Sequence, residues 1–160
     1  MPATILATKL YIPPPTSTLV PRTRLVKRLE AGTRRKLTLV SAPAGFGKTT
    51  LVSSWVAAMQ AGGERRVAWL SLDAGDNDPA RFIAYLVAAV RTIAPEVGGD
   101  VLALLQAAQQ AAPQAILAAL LNDFAAIPDD FVFVLDDLHV IDAQAVEDVV
   151  AFLLEYLPPR

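Results

Sequence analysis

A short loop containing two glycines, one lysine and two threonines could bind the phosphate groups of a nucleotide. It follows an apolar run over residues 36–41 and has the sequence SAPAGFGKTT over 41–50. Backbone N–H groups of such a loop, with the positive end of the following helix dipole, attract phosphate charges. Glycine permits the positive φ angles and the close backbone approach that this requires. The pattern therefore predicts binding of ATP or GTP together with magnesium.

The side chains of the loop have separate predicted roles. Lys48 is expected to contact the β- and γ-phosphates and to contribute to catalysis. The Thr49 hydroxyl is expected to ligate Mg²⁺. Thr50 lies in the first helical turn, where its N–H and hydroxyl can reach an α- or β-phosphate. The other predicted cofactor-binding positions are Ala44, Gly45, Phe46 and Gly47.

One position departs from the usual pattern of this loop, because Ala42 stands where the first glycine is expected. Alanine fits there if its φ angle is negative, so we expect the turn at this residue to avoid left-handed geometry. The alternative interpretation is an ordinary strand–turn–helix connection that carries a surface lysine.

Two adjacent carboxylates follow a second apolar run, FVFVLDD over 131–137. The run is typical of a buried parallel strand whose carboxyl end faces a ligand site. Asp136 is expected to ligate or orient Mg²⁺, and Asp137 to polarise the attacking water. A helix cap near Asp142 is the alternative role for the pair. His139 is expected to pack as a neutral structural histidine, with a γ-phosphate contact as the alternative.

The composition argues against disulfide-bonded, secreted and membrane-spanning classes of protein. The chain has 160 residues, a net charge of −2 and no cysteine, which excludes disulfides and thiolate metal sites. The charge gives no reason to expect direct DNA contact by this segment. No secretory signal is visible, and the longest apolar run, over 82–90, is too short to span a membrane. We therefore expect a cytoplasmic location and no membrane partner.

Strand and helix patterns alternate along the chain. Strands are predicted over 36–41, 67–73 and 131–135, and helices over 22–31, 48–60, 79–93, 101–111, 114–127 and 144–157. Asp78 followed by a proline marks a helix start. The first 18 residues are expected to form an extended arm and not a packed helix. The alternation predicts an α/β fold with a parallel sheet covered on both faces.

Several motifs together resemble one known family. They are LYIPPP over 10–15, LVPRTRL over 19–25, the phosphate loop with its alanine, WLSLD over 69–73 followed by DNDP over 76–79, and LDDLH over 135–139. This set is similar to the N-terminal ATPase segment of maltose-regulon-activator-like proteins. These are large ATP-dependent regulators of the LuxR family and belong to the STAND class of P-loop NTPases.

The resemblance implies an ATP-binding switch in which ATP favours self-association, and slow hydrolysis or ADP restores the resting state. It implies that Arg22 lies near the nucleotide. It divides the chain into an arm with a short helix over 1–35 and a partial three-layer P-loop NTPase core over 36–160. The core would end before its next strand, which belongs between the phosphate-loop strand and the acid strand. In the family, a winged helix, helical repeats and a DNA-binding helix-turn-helix follow.

Two other functions remain open at this point. The chain could be a nucleotide-binding or interaction module without turnover. It could also be a small-molecule P-loop kinase, although no arginine-rich lid pattern follows the loop. The sequence offers no obvious arginine finger, a group that elsewhere raises the rate by about 10³–10⁵. Any hydrolysis is therefore expected to be slow.

Overall fold

The computed structural model describes residues 4–15, 20, 22–63, 65–107 and 113–158. Its helices are α1 (Thr23–Gly32), α2 (Lys48–Ala61), α3 (Pro79–Arg91), α4 (Gly99–Gln106), α5 (Pro113–Ala126) and α6 (Gln144–Tyr156). Its strands are β1 (Arg66–Ser71) and β2 (Phe131–Asp136), and short 3-10 turns cover Ala7–Leu10, Ala74–Asn77 and Leu138–Val140. None of the helices in these ranges is long and apolar enough to cross a membrane.

The two strands of the described chain pair in parallel. Arg66 lies opposite Phe131, and Ser71 lies opposite Asp136. Parallel pairing brings the carboxyl ends of both strands to one edge of the sheet. The two acids at the end of β2 therefore lie beside the turn that follows β1. The predicted α/β class with a parallel sheet is confirmed.

Alternating side chains of β1 point into two separate apolar clusters. Val67 and Trp69 pack with residues of α1 and α2 on one face of the sheet. Ala68 and Leu70 pack with residues of α3, α5 and α6 on the other face. This alternation follows the two-residue period of a strand. The predicted covering of the sheet on both faces is confirmed, with helices in two layers.

The start of α3 shows how the sequence fixes one element locally. The Asp78 side chain accepts a hydrogen bond of 2.7 Å from the backbone N–H of Arg81, and Pro79 is the first helical residue. The cap satisfies one of the N–H groups that a helix start leaves open, and proline has no N–H to satisfy. The predicted helix start is confirmed.

The strand predicted over 36–41 is wrong. This segment has no strand pairing in the structure, and the side chains of Leu37 and Leu39 are 57% and 74% exposed. A groove of about 960 Å³ lies between it and β2. An apolar run becomes a strand only when a neighbour accepts its backbone hydrogen bonds. For the same reason β2 is half-buried along its length. The prediction that it is fully buried is wrong.

The groove occupies the position in which the family resemblance puts a further strand. Its lining includes Leu39 on one side and Val132 and Val134 of β2 on the other. That further strand, and the division of the chain at residue 35, stay predictions.

The arm packs more closely than its sequence indicates. The predicted extended conformation is wrong at Ala7–Leu10, which forms a 3-10 turn, and Lys9 within it is buried. The reason is an ion pair between Lys9 and Asp76, far along the sequence. Residues 1–3 and 16–18, also predicted to belong to the extended arm, lie outside the described residues. A helix was predicted over 101–111, and α4 ends at Gln106. Residues 108–112 also lie outside the described residues.

Candidate nucleotide-binding site

The phosphate loop has the backbone geometry expected of its glycines. Gly45 and Gly47 have φ angles of 81° and 74°. Asp137 is the one non-glycine residue with positive φ in the described part of the chain. The expectation that Ala42 avoids left-handed geometry is therefore confirmed. A single backbone hydrogen bond, of 3.4 Å from the Phe46 N–H to the Pro43 carbonyl, spans the loop.

The N-terminus of α2 opens directly onto this loop. Gly47 is its N-cap residue and supplies no side-chain hydrogen bond. The first bond of the helix runs from the Leu51 N–H to the Gly47 carbonyl, at 2.9 Å. The N–H groups of the three preceding residues therefore have no intrahelical acceptor. They are Lys48, Thr49 and Thr50, the positions predicted to contact phosphate and metal. Free N–H groups and the helix dipole together favour an anion here.

The Lys48 side chain folds back over the loop. Its Nζ atom donates hydrogen bonds of 2.8 Å to the Ala42 carbonyl and 3.2 Å to the Pro43 carbonyl. The ammonium group is therefore held at the start of the phosphate loop. Phosphate oxygens are stronger acceptors for it than neutral carbonyls.

A contact between Thr49 and Asp136 joins the start of α2 to the end of β2. The Thr49 hydroxyl lies 2.9 Å and 3.1 Å from the two carboxylate oxygens of Asp136. A hydroxyl and a carboxylate are hard oxygen ligands, which Mg²⁺ prefers. The pair predicted as magnesium ligands therefore fits that ion. Burial raises the pKa of the Asp136 carboxyl above its usual value, with the hydrogen bond from Thr49 opposing the shift and the Asp137 charge adding to it.

Asp137 adopts an uncommon backbone conformation beside this pair. Its φ angle is 58°, and its side chain is exposed at the carboxyl edge of the sheet. Its N–H donates a hydrogen bond of 3.1 Å to an Asp136 carboxylate oxygen. The prediction that His139 packs as a structural histidine is wrong, because its side chain is 66% exposed. The His139 Nδ1 atom lies 3.8 Å from an Asp137 carboxylate oxygen.

The acids do not cap the next helix. Neither Asp137 nor Ala143, the N-cap residue of α6, provides a side-chain cap. The N–H groups of Asp142 and Ala143 instead donate to the side-chain oxygen of Asn77, each at 2.9 Å. Asn77 was not predicted as a site residue. Its sequence signal was weak, because a polar residue before a helix start is usually explained by that helix alone.

The structure places Arg22 at the phosphate loop. Its Nη1 atom donates a hydrogen bond of 3.1 Å to the Phe46 carbonyl, and the side chain is exposed. The contact bridges the segment before α1 and the loop before α2. A guanidinium group adds positive charge where the family resemblance implies nucleotide contact.

Known transcriptional regulators are similar in sequence to this chain. The chain is 34% identical to the HTH-type transcriptional regulator MalT of Cronobacter sakazakii (strain ATCC BAA-894) over 154 residues. It is 33% identical over 154 residues to the regulator of the same name from Klebsiella pneumoniae (strain 342). Each alignment covers 96% of this chain but only 16% of the regulator. These similarities confirm the resemblance to maltose-regulon-activator-like regulators.

The family assignment rests on a broader match. The profile of the AAA ATPase domain matches residues 22–159, which include the phosphate loop and both acids. Since that match covers most of its length, the chain belongs to the AAA ATPase domain family.

Proposed function

We propose that this chain is the nucleotide-dependent switch of a transcriptional regulator, and that it binds Mg-ATP and hydrolyses it slowly. One observation carries the proposal: the Thr49 hydroxyl lies 2.9 Å from the Asp136 carboxylate, beside the uncapped N-terminus of α2. Membership of the AAA ATPase domain family and the similarity to the MalT regulators agree with it.

Binding would begin at the loop. The backbone N–H groups at Ala44, Gly45 and the start of α2 would donate to phosphate oxygens. Lys48 would give up its hydrogen bonds to loop carbonyls and donate to the β- and γ-phosphates. Arg22, already bonded to the Phe46 carbonyl, would add charge at the same place.

The two acids would divide the remaining work. Thr49 and Asp136 would hold Mg²⁺, which, when bound, neutralises charge on the phosphate oxygens. Asp137 would orient the attacking water and accept its proton. Of the arginines that the structure describes, Arg22 is the one hydrogen-bonded to the loop, and its partner is a backbone carbonyl. Slow turnover is expected because, among the described residues, no second arginine is hydrogen-bonded to the loop where it could stabilise charge in the transition state.

The nucleotide state would control self-association. In this proposal ATP favours association of the ATPase segments, and ADP restores the resting form. The module itself makes no DNA contact, consistent with its net charge of −2, and acts in the cytoplasm. An interaction module that binds nucleotide without turnover is an alternative for the same site.

Calorimetric titration with Mg-ATP and with ADP tests the binding step. We expect Lys48→Ala to weaken ATP affinity by about 10- to 150-fold, because a hydrogen bond to a charged group contributes about 1.5–3 kcal/mol. Lys27→Ala removes an exposed lysine of α1 and is the matched control. Equal affinities for the two variants would contradict the proposal.

Sedimentation velocity and phosphate release test the switch. A faster-sedimenting species with Mg-ATP, but not with ADP, is the expected result, together with slow release of phosphate. Binding and association with no phosphate release would favour the module without turnover. Identical sedimentation in both nucleotides would contradict the switch.

A further inference from the structure

A buried ion cluster ties the N-terminal arm to the turn after β1. The Asp76 side chain is 0% exposed and that of Lys9 is 7% exposed, and the Lys9 Nζ atom donates to an Asp76 carboxylate oxygen. The same Nζ atom lies 3.0 Å from a carboxylate oxygen of Asp73. The second Asp76 oxygen accepts a hydrogen bond of 3.3 Å from the Arg81 Nε atom. Buried charges are tolerated only when paired in this way, so removal of one partner is costly.

Tyr85 of α3 fixes the arm a second time. The Lys9 ammonium lies 4.5 Å from the centroid of the Tyr85 ring, within range of a cation–π interaction. The Leu6 N–H donates a hydrogen bond of 3.1 Å to the Tyr85 hydroxyl. The arm is therefore held to the body of the domain by specific contacts just before the 3-10 turn and within it.

Asn77, the residue after the buried Asp76, contacts the segment between β2 and α6. We call residues 137–143, between β2 and α6, the acid loop. The Asn77 Oδ1 atom accepts hydrogen bonds of 2.9 Å from the N–H groups of Asp142 and Ala143. Its Nδ2 atom lies 3.4 Å from the Val140 carbonyl. One side chain thus contacts three residues of the acid loop.

A backbone contact joins the same two segments at the acids themselves. The Leu72 N–H donates a hydrogen bond of 3.0 Å to the Asp136 carbonyl. The following residue, Asp137, has a φ angle of 58°, a conformation that costs energy for a residue with a side chain. Two local hydrogen bonds support that conformation, from the Asp137 N–H to an Asp136 carboxylate oxygen and from the Val140 N–H to the Asp137 carbonyl. Asn77 contacts the Val140 end of this segment and so helps to hold it.

We infer that Asn77 is a positioning residue for the two acids, and that Lys9 of the N-terminal arm holds Asn77 in place through Asp76. The inference rests on the proposed function, in which Asp136 holds magnesium and Asp137 orients water. In this inference the position of the arm affects Mg²⁺ binding at the two acids. Phosphate binding by the loop does not depend on the arm.

Two readouts on the intact chain test the role of Asn77. We expect Asn77→Ala to speed amide hydrogen exchange at Asp142 and Ala143 by about tenfold, because both amides lose their acceptor. We expect ATP affinity in the presence of Mg²⁺ to fall by about tenfold, with affinity in EDTA within about twofold of the original. Asn122→Ala, an exposed asparagine of α5, is the matched control.

A conservative variant of Asn77 and a variant of Lys9 in the arm test the two contacts separately. Asn77→Asp retains an acceptor oxygen, so it should keep the two amides protected. Lys9→Met should also speed exchange at Asp142 and Ala143, whereas Lys27→Met should not. Because Lys9→Met leaves Asp76 buried with only part of its pairing, Lys9→Met combined with Asp76→Asn serves as the variant that removes the link without an unpaired charge.

The outcomes separate this inference from the proposed function. Unchanged exchange in Asn77→Ala, or an equal loss of ATP affinity with and without Mg²⁺, would overturn the positioning role. Unchanged exchange in both Lys9 variants would overturn the role of the arm. If the original chain binds no nucleotide, the proposed function fails, and the exchange data alone still decide whether Asn77 and Lys9 hold the acid loop.

Discussion

The hydroxyl of Thr49 and the carboxylate of Asp136 are in direct contact, with oxygen–oxygen distances of 2.9 Å and 3.1 Å. Thr49 lies in the first turn of α2 and Asp136 ends β2, so the contact joins the two elements at the site. A metal ion held by both side chains would share the oxygens that now form this hydrogen bond. Substitutions of Thr49 and of Asp136 therefore test the proposed metal site separately.

Thr49→Val should remove the magnesium dependence of ATP binding. Valine has a similar shape but no hydroxyl, so it loses both the metal ligand and the hydrogen bond to Asp136. We expect ATP affinity with Mg²⁺ to fall by about tenfold or more, measured by calorimetry. Thr49→Ser keeps the hydroxyl and is the control. Equal affinities for the valine and serine variants would count against a metal role for this residue.

Asp136→Asn should stabilise the nucleotide-free chain at neutral pH. Because the folded-state pKa of Asp136 is raised, its contribution to stability is present below the usual value of 3.8 and is lost as pH rises through the folded pKa. Asparagine carries no charge to bury and can still accept from Thr49. The advantage in melting temperature over the original chain should therefore shrink as the pH falls.

Thermal melts at neutral pH and near 3.8, the usual value for this group, measure that difference. Asp142→Asn, at an exposed carboxylate of the acid loop, is the control. The same variant of Asp136 should lose magnesium-dependent ATP binding. A lower melting temperature for Asp136→Asn than for the original chain at neutral pH would contradict the effect of burial.

Gly47→Ala should lower both stability and nucleotide affinity. Gly47 has a φ angle of 74°, and a Cβ atom there would meet no atom closer than 3.7 Å, so the cost arises from the backbone conformation. That cost is about 1–2 kcal/mol for a left-handed residue with a side chain. Denaturant unfolding and calorimetry measure the two effects.

Gly63→Ala provides the matched control for this change. Gly63 has a φ angle of 66°, and an added Cβ atom there would meet no atom within 4 Å, but it follows α2 at the end far from the loop. It should lose a similar free energy of unfolding and keep its nucleotide affinity. A comparable loss of affinity in both variants would mean that general instability, and not loop geometry, controls binding.

Arg22→Ala should leave stability almost unchanged and weaken ATP binding by about 2- to 12-fold, the effect of losing one hydrogen bond. Its hydrogen bond to the Phe46 carbonyl is exposed, and exposed substitutions usually change stability by less than about 0.5 kcal/mol. Calorimetry and thermal melts provide both values. Arg24→Ala, an exposed arginine on the first turn of α1, is the control. An ATP affinity that responds equally to both variants would exclude a specific role for Arg22.

Sequence alone predicted the features that depend on neighbouring residues. The helix start at Asp78, the positive φ angles of Gly45 and Gly47, and the strand leading to Asp136 each follow from a few adjacent side chains. Their local chemistry permits few alternative conformations.

The failures involve partners that are distant in sequence. Leu37 and Leu39 have the character of strand residues, but pairing depends on a neighbour that an apolar run does not specify. Lysine is seldom buried, so Lys9 gave no sign of its ion pair with Asp76. Asn77 likewise receives its role from amides 65 and 66 positions along the chain.

The groove beside β2 has a thermodynamic consequence. An extended segment seated there would touch β2 on one side and the run before the phosphate loop on the other. Seating of such a segment and nucleotide binding are linked if the seated segment stabilises the loop conformation that also binds nucleotide. Each event would then raise the equilibrium constant of the other by the same factor, as reciprocity of two linked sites requires. Nucleotide affinity would thus report the occupancy of the groove.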